Sequence, residues 1–185
     1  MYLTAVAFSV VLLAAAYGTE AGDCQPEAKD RDAWQVVNAM KKDTFYIFRS
    51  TILQSPSCSY MKVNEADEQQ KKGTLIVRSG LAANEDATSV SADGEKLTIG
   101  NVEDGAYPVL YTDGVTCSVL ASPDVDEIIL FAAESVARQG KQSLHECCNE
   151  VFEKRARDMK ADVSDIFNQN CLMASSGTLS LSEQK

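Results

Sequence analysis

The residues of this chain best able to form covalent cross-links or bind metal are its six cysteines, which are Cys24, Cys58, Cys117, Cys147, Cys148 and Cys171. Two of them are adjacent, and neighbouring residues on a helix point about 100° apart. Cys147 and Cys148 therefore suit two different partners better than each other. The even count indicates disulfides and an oxidising compartment, although six cysteines allow fifteen pairings and only Cys147–Cys148 is excluded.

Metal binding and catalysis find little support in the side chains. The chain has no C-x-x-C motif and a single histidine, His145, so the spacing of zinc ligands is missing. A Ser-His-Asp or Cys-His arrangement would have to use His145, for which a solvated helical position beside Glu146 is the simpler interpretation. There is no glycine-rich phosphate loop. We predict a protein that is not an enzyme and needs no cofactor or metal.

The N-terminal segment is typical of a secretory signal peptide. Ala5 to Ala16 is a nearly unbroken apolar run, shorter than the roughly 20 residues that span a bilayer. We predict a signal peptide over residues 1–21 and a secreted, extracellular protein with no membrane anchor. The formal net charge of −10 disfavours nucleic acid and anionic membrane surfaces as partners.

Eight short β-branched and aromatic runs dominate the middle of the chain, at 44–51, 58–63, 73–79, 88–91, 96–101, 107–112, 115–120 and 127–132. Asp93-Gly94 and Asp113-Gly114 place the strongest short hairpin signal between neighbouring runs. There is no strand–helix–strand alternation. The pattern predicts a mostly β fold, as a meandering antiparallel barrel or sandwich.

Helical patterns stand on both sides of the strands. Asp30 to Lys42 has apolar residues at helical spacing, and from Gln142 a second amphipathic stripe includes Cys147 and Cys148. Ser143 and Glu146 have the spacing of a capping box for this second helix. A further helical piece is predicted at 162–168. We expect one domain over 22–173, with the second helix on the outside of the barrel, and a flexible tail over 174–185.

A closed eight-stranded barrel has room for one small ligand, so the direction of its side chains matters. In the first strand either Phe45, Ile47 and Arg49 or the alternate pair Tyr46 and Phe48 faces inward. Tyr107 and Tyr111 are expected on the same side of their strand as Val109. Arg49 and Arg78 are strand arginines for which an outward, solvated position is the ordinary one.

Several short motifs occur in an order that resembles the tick salivary lipocalins, the histamine-binding-protein family, and within it the soft-tick branch that includes moubatin and the complement inhibitor. They are Asp23-Cys24, Asp32-Ala33-Trp34, Tyr46-Ile47-Phe48-Arg49-Ser50-Thr51, Cys58, Asp93-Gly94, Gly100-Asn101, Cys117-Ser118-Val119, Glu127, Glu146-Cys147-Cys148 and Cys171. The resemblance covers Asp23 to Cys171, nearly all of the chain after the signal peptide.

The resemblance implies an eight-stranded antiparallel lipocalin barrel with an N-terminal helix, a C-terminal helix packed on it and an internal ligand cavity. It also implies the disulfides Cys24–Cys147, Cys58–Cys171 and Cys117–Cys148. Members of the family are secreted in saliva and sequester host mediators such as histamine, serotonin or eicosanoids. Some bind complement C5. We expect this protein to act in the same way, as a monomer.

The chain departs from the amine-binding signature of the family, which has an acid at position 118 and an aromatic residue at position 129. Ser118 and Ile129 stand there, and a missing aromatic face removes a cation–π contact of about 0.5–2 kcal/mol. Glu127 remains as the acid that would pair with an amine. Trp34, Phe45 and Tyr107 would give aromatic walls. Arg49 or Arg78 would meet the carboxylate of an eicosanoid or fatty acid if either turned inward, and Arg78 is the one that we assign to the site.

Three ligand classes stay open at this point, namely amines, carboxylates and neutral or fatty molecules. A different kind of function is the alternative: a surface that binds a host plasma protein, such as a complement component, beside a cavity that is unused or filled with lipid.

Overall fold

The computed structural model describes residues 24–52, 54–101, 105–123 and 126–175, and the side chains up to residue 172. The predicted signal peptide over 1–21 and the tail from residue 176 lie outside the described residues. Within them, no helix is long and apolar enough to cross a membrane.

The described chain begins with a 3₁₀ turn, Ala28–Arg31, followed by four α-helices and nine strands. The helices are α1 (Ala33–Lys42), α2 (Glu134–Ala137), α3 (Glu146–Met159) and α4 (Asn170–Ser175). The strands are β1 (Phe45–Ser50), β2 (Tyr60–Asp67), β3 (Lys72–Arg78), β4 (Glu85–Asp93), β5 (Lys96–Ile99), β6 (Ala106–Thr112), β7 (Cys117–Ala121), β8 (Ile128–Ala133) and β9 (Ser164–Asp165).

Strands β1 to β8 form one antiparallel sheet that closes on itself. Each strand from β2 to β7 pairs with the next along the chain, β8 pairs with β1, and β1 pairs again with β2. The closing contact is short, with Phe45 opposite Met61 and Tyr46 opposite Tyr60. The predicted mostly β, eight-stranded antiparallel barrel is confirmed, with β9 added beside β1.

Bulges in two strands change which side chains face inward. The pairing of β1 with β8 shifts between Ile47 and Arg49, and the pairing of β6 with β7 shifts between Val109 and Tyr111. An extra residue in one strand reverses the alternation beyond it. Phe45 and Ile47 therefore pack in the interior, whereas Arg49 contacts the outer helix.

The same effect corrects the expectation for β6. Val109 lies in the interior core and Tyr107 packs against it, but Tyr111 belongs to the cluster between the barrel and α3. The prediction that Tyr111 shares the inward side of its strand is wrong, because strict alternation does not continue through the bulge.

The interior of the barrel is filled mainly by aliphatic side chains and by the buried face of α1, including Trp34, Val37 and Met40. Asp32 caps this helix by accepting a hydrogen bond of 2.9 Å from the Trp34 backbone N–H. The helix is therefore shorter than predicted, since Asp32 lies outside it and the residues before it form the 3₁₀ turn.

Helix α3 lies on the outside of the barrel, as predicted, and buries Cys148, Phe152 and Ala156 against it. The three disulfides are Cys24–Cys147, Cys58–Cys171 and Cys117–Cys148, which are the pairs that the resemblance implies. The side chain of His145 caps the first turn of α3, so the prediction of a capping box at Ser143 is wrong.

The prediction of a helix at 162–168 is also wrong. Ser164 and Asp165 instead pair with β1, and the backbone N–H of Ile166 donates to the Phe48 carbonyl at 3.0 Å. Because β1 pairs with β2 over only two positions, its edge offers free backbone groups, and the returning chain satisfies them in extended form.

Candidate ligand-binding site at the open end of the barrel

Helix α1 closes one end of the barrel. The Ala33 backbone N–H donates to the Gly94 carbonyl in the β4–β5 hairpin at 2.9 Å, and Lys71 in the β2–β3 hairpin lies over the Trp34 ring at 4.7 Å. The opposite end carries the loops after β1, β3, β5 and β7. Among the described residues no helix crosses this second end, which we call the open end, so a ligand entering there need not displace α1.

A cavity of about 250 Å³ lies at the open end, beside the closing contact between β1 and β2. Its walls are the inward side chains of Ile47, Met61 and Val77, together with Ile52 from the loop after β1. Polar atoms on its rim come from Gln54, Ser55, Ser59 and Ser79. An apolar chamber with a few polar groups at its mouth is the usual form of a small-molecule site.

Glu127 stands immediately before β8, at the same end of the barrel as this cavity, although it is not one of the residues that line it. The Thr51 backbone N–H donates to the Ile128 carbonyl at 3.1 Å, and the Ile128 N–H donates to the Thr51 hydroxyl at 2.9 Å. These bonds bring the start of β8 against the loop after β1, which contributes Ile52 to the cavity. Glu127 is half-buried, and its carboxylate has no ion pair or hydrogen bond within the described part of the chain.

Arg78 also borders the cavity, but its guanidinium is held outside the barrel. Its Nε donates to the carbonyls of Gly80 and Ala83 at 3.1 Å each, and Nη2 donates to the Leu81 carbonyl. Strand alternation places Val77 inward and Arg78 outward. The structure therefore does not bring Arg78 into the interior to meet a ligand carboxylate.

The outward face around Arg78 is a small polar cluster. The guanidinium carbon lies 6.0 Å from the centre of the Tyr60 ring, and the Tyr60 hydroxyl donates to Glu85. Burial raises the pKa of the Tyr60 phenol, and the neighbouring Glu85 carboxylate raises it further. The phenol thus stays protonated and continues to hold Glu85, which leaves this cluster satisfied without a ligand.

The three aromatic residues expected to form ligand walls lie at different depths. Phe45 is fully buried and Trp34 is 7% exposed, and both pack in the core at the closed end. Tyr107 is half-buried near the open end, because the pairing of Val109 with Leu120 places it opposite the start of the β7–β8 loop. Tyr107 and Glu127 thus both lie towards the open end, whereas Trp34 and Phe45 are core residues. None of these side chains lines the cavity itself.

Ser118 occupies the interior where the family signature has an acid. It is fully buried, and its hydroxyl lies 3.0 Å from the hydroxyl of Thr112 on the neighbouring strand. Thr112 also donates to the Cys117 carbonyl at 3.2 Å. The two hydroxyls satisfy each other, so this part of the wall offers no charge to a ligand.

Sequence reasoning did not assign the three aliphatic walls contributed by Ile52, Met61 and Val77. Met61 and Val77 lie in runs that were predicted as strands, and their alternation with Lys62 and Arg78 indicates the inward side. Ile52 comes from a loop and carries no such signal.

The closed antiparallel barrel, the helix across one end and the cavity at the other define the molecule as a lipocalin. A sequence model of the family described as tick histamine binding protein matches residues 74–173, more than half of the chain. The chain belongs to this family, and the prediction of a tick salivary lipocalin is confirmed. Its place in the moubatin branch stays a prediction.

Two solved structures are similar to this chain, and the likeness to AM182 shows the same fold. A crystal structure of AM182 in complex with serotonin has 18% sequence identity and a TM-score of 0.63, covering 80% of this chain and 97% of AM182. Japanin from Rhipicephalus appendiculatus, bound to cholesterol, has 14% identity and a TM-score of 0.47, covering 72% of this chain and 98% of Japanin. At such identities the likeness to AM182 concerns the fold alone.

Proposed function

We propose that this protein is a secreted salivary lipocalin that sequesters a small amine at the open end of its barrel and performs no catalysis. The observation that carries the proposal is the half-buried carboxylate of Glu127, which has no partner among the described residues and stands at the end of the barrel that holds an apolar cavity of about 250 Å³. An ammonium group would pair with Glu127 while the body of the ligand packs against Ile52, Met61 and Val77.

The charges at the open end favour an amine over a carboxylate. A buried carboxylate requires a cation or several donors, since an unpaired buried charge is very costly. Arg78, the nearest cation, already donates to three loop carbonyls and would have to leave them. Glu127 has no comparable bonds to give up within the described chain, so an amine gains a partner at little structural cost.

The size of the cavity supports a small mediator. Sites for drug-sized ligands usually have volumes of about 300–1,000 Å³, and the cavity here lies just below that range. Histamine or serotonin fits the scale of the site better than a long eicosanoid chain. AM182, the structural neighbour solved with serotonin, supports the same ligand class.

The biological role follows from the family and from the disulfides. A chain cross-linked by three disulfides suits an oxidising, extracellular compartment. Released in saliva, such a protein would remove a host amine from solution by stoichiometric binding and thereby counter inflammation or haemostasis at the bite.

Titration calorimetry of the disulfide-intact protein with histamine, serotonin and a leukotriene tests the proposal. We expect saturable binding of at least one amine, and a loss of at least about tenfold in affinity for Glu127→Gln, since a charge-assisted hydrogen bond contributes about 1.5–3 kcal/mol. Glu68→Gln is the matched control, because Glu68 is exposed in the β2–β3 hairpin at the opposite end. Amine binding that survives Glu127→Gln unchanged, or leukotriene binding alone, would contradict it.

A further inference from the structure

A second groove lies on the outside of the barrel, between the N-terminal segment, β6 and α3. Its volume is about 430 Å³, within the range of about 300–1,000 Å³ that is usual for small-molecule sites. The disulfide Cys24–Cys147 holds the N-terminal segment beside α3 at one end of the groove. Its lining residues are all different from those of the open-end cavity.

The walls of this outer groove are apolar. Strand β6 turns Tyr107 and Val109 inward, so Pro108 and Leu110 face outward into the groove, and Pro26 lies opposite them. Helix α3 completes the walls with Val151. This residue stands one position before Phe152, which is buried against the barrel, so α3 uses two neighbouring faces for two different contacts.

The rim of the outer groove is positive in an otherwise acidic protein. Arg31, Lys154 and Arg155 border it, against Glu95 and Asp158, while the whole chain carries a formal charge of −10. Lys154 has no ion pair or hydrogen bond within the described residues. Among the residues that the structure describes, Arg155 makes only a 3.7 Å contact with Asp126, whose side chain is 88% exposed. Within that part of the chain, two of the three cations are thus nearly free.

Arg31 is the third cation, and one of its hydrogen-bond donors lacks an acceptor among the described residues. Its Nη2 lies 3.0 Å from Oε1 of Glu95, but its Nε is buried and has no acceptor in the part of the chain that is described. A buried donor without a partner calls for an explanation. Turning the guanidinium towards an anion would break only the contact with Glu95, in which both side chains are partly exposed.

We infer that the outer groove is a second ligand site, separate from the barrel, which binds a small amphipathic carboxylate such as a medium-chain fatty acid. The alkyl chain lies against Leu110, Pro108 and Val151, and the carboxylate lies among Lys154, Arg155 and Arg31. In such a ligand the carboxylate head group suits the cations of the rim, and the alkyl chain suits the apolar walls. An amine would be repelled by the same rim.

Titration of the methyl-labelled protein with dodecanoate, followed by NMR below the micelle concentration, locates the binding. We expect saturable shifts of the Leu110 and Val151 methyl groups, with those of Ile52 and Val77 unchanged. Shifts confined to Ile52 and Val77 would place the fatty acid in the barrel and overturn the inference. The absence of saturable shifts at any of these methyl groups would overturn it as well.

Charge reversal at the rim tests the recognition of the carboxylate. We expect the double variant Lys154→Glu/Arg155→Glu to weaken dodecanoate binding by at least about tenfold, and Arg157→Glu, an exposed residue of α3 that does not line the groove, to leave it unchanged. Dodecylamine should bind more weakly than dodecanoate at these methyl groups. Equal affinity of the double variant and the unmodified protein would refute the assignment.

The two proposed sites fail independently. Glu127→Gln should leave the dodecanoate shifts at Leu110 and Val151 intact, and the double reversal on α3 should leave amine binding intact. Loss of both activities in either variant would show that one site accounts for both ligands, which contradicts a separate outer site.

Discussion

The hydroxyl of Tyr111 lies 3.2 Å from Nδ1 of His145, and the two rings stack with their centres 5.9 Å apart. The Cys147 backbone N–H donates to the same Nδ1 at 3.3 Å. The single histidine therefore connects β6 to the first turn of α3. Both contacts are ones that hold the helix against the strand.

The cap at His145 can be tested by two substitutions. We expect His145→Ala to lower the free energy of unfolding by about 0.5–2 kcal/mol, because it removes the side-chain acceptor for the Cys147 N–H. His145→Asn retains an acceptor and should lose clearly less. Urea unfolding followed by circular dichroism measures both, and equal losses for the two variants would contradict the capping role.

The contact of Arg49 with α3 gives a second prediction. Its side chain is 15% exposed, its Nη1 lies 2.5 Å from Glu153, and its guanidinium stands 5.0 Å from the centre of the Phe152 ring. We expect Arg49→Met to lower the free energy of unfolding by about 1–3 kcal/mol, since charge-assisted bonds to a half-buried partner are lost.

Arg157→Met is the control for this measurement, because Arg157 is exposed on α3 and should change the stability little. Glu153→Gln should cost less than Arg49→Met, since Asp165 remains 3.3 Å from Arg49. If Arg49→Met and Arg157→Met have the same stability, Arg49 does not hold the helix to the barrel.

The carboxylate of Asp113 is expected to make the free energy of unfolding depend on pH. Burial alone would raise its pKa, but the Thr116 hydroxyl and the backbone N–H groups of Val115, Thr116 and Cys117 outweigh it and lower the pKa below the ordinary 3.8. A pKa that is lower in the folded state gives stability that is present above pH 3.8 and is lost as the pH falls through the folded value.

We therefore expect Asp113→Ala to lower the free energy of unfolding by about 1–3 kcal/mol at pH 6, and by less at pH 3. Urea unfolding at the two values measures the difference between the variant and the unmodified protein. Asp86→Ala, on an exposed residue of β4, provides the control for general effects of acid. A difference that grows as the pH falls would contradict this account.

Removing either of two disulfides of similar span can distinguish an effect on ligand binding from an effect on stability. Cys24–Cys147 and Cys58–Cys171 join residues 123 and 113 positions apart, so the loss of either should cost a similar 2–5 kcal/mol, roughly. Only Cys24–Cys147 borders the outer groove. We expect Cys24→Ala/Cys147→Ala to weaken dodecanoate binding and Cys58→Ala/Cys171→Ala to leave it unchanged, as measured by NMR titration of folded protein.

Much of the scaffold was predictable because its signals are local. Alternating apolar residues and the two Asp-Gly turns indicated all eight strands of the barrel, and the stripe through Cys148 and Phe152 indicated the outer helix. The disulfide partners were different, since excluding a Cys147–Cys148 bond left twelve of the fifteen complete pairings open and only the family resemblance selected one.

The candidate site was less predictable because it depends on non-local contacts. Bulges after Ile47 and Val109 moved Arg49 and Tyr111 to the outside, and strand patterns alone do not reveal where an extra residue falls. Arg78 is outward by strand alternation, as expected, and the carbonyls of the loop after β3 hold its guanidinium there. The segment around Ile166 is extended because β1 offers it hydrogen bonds, which local helical propensity does not register.

The adjacent cysteines at the start of α3 have a mechanical consequence. A helix attached to its support at one point can still roll about its own axis. Cys147 bonds to the N-terminal segment and Cys148 bonds to β7, in two directions about 100° apart. This double attachment removes the rolling motion. Lys154 and Arg155 therefore keep the same orientation towards the outer groove in every conformation of the barrel loops.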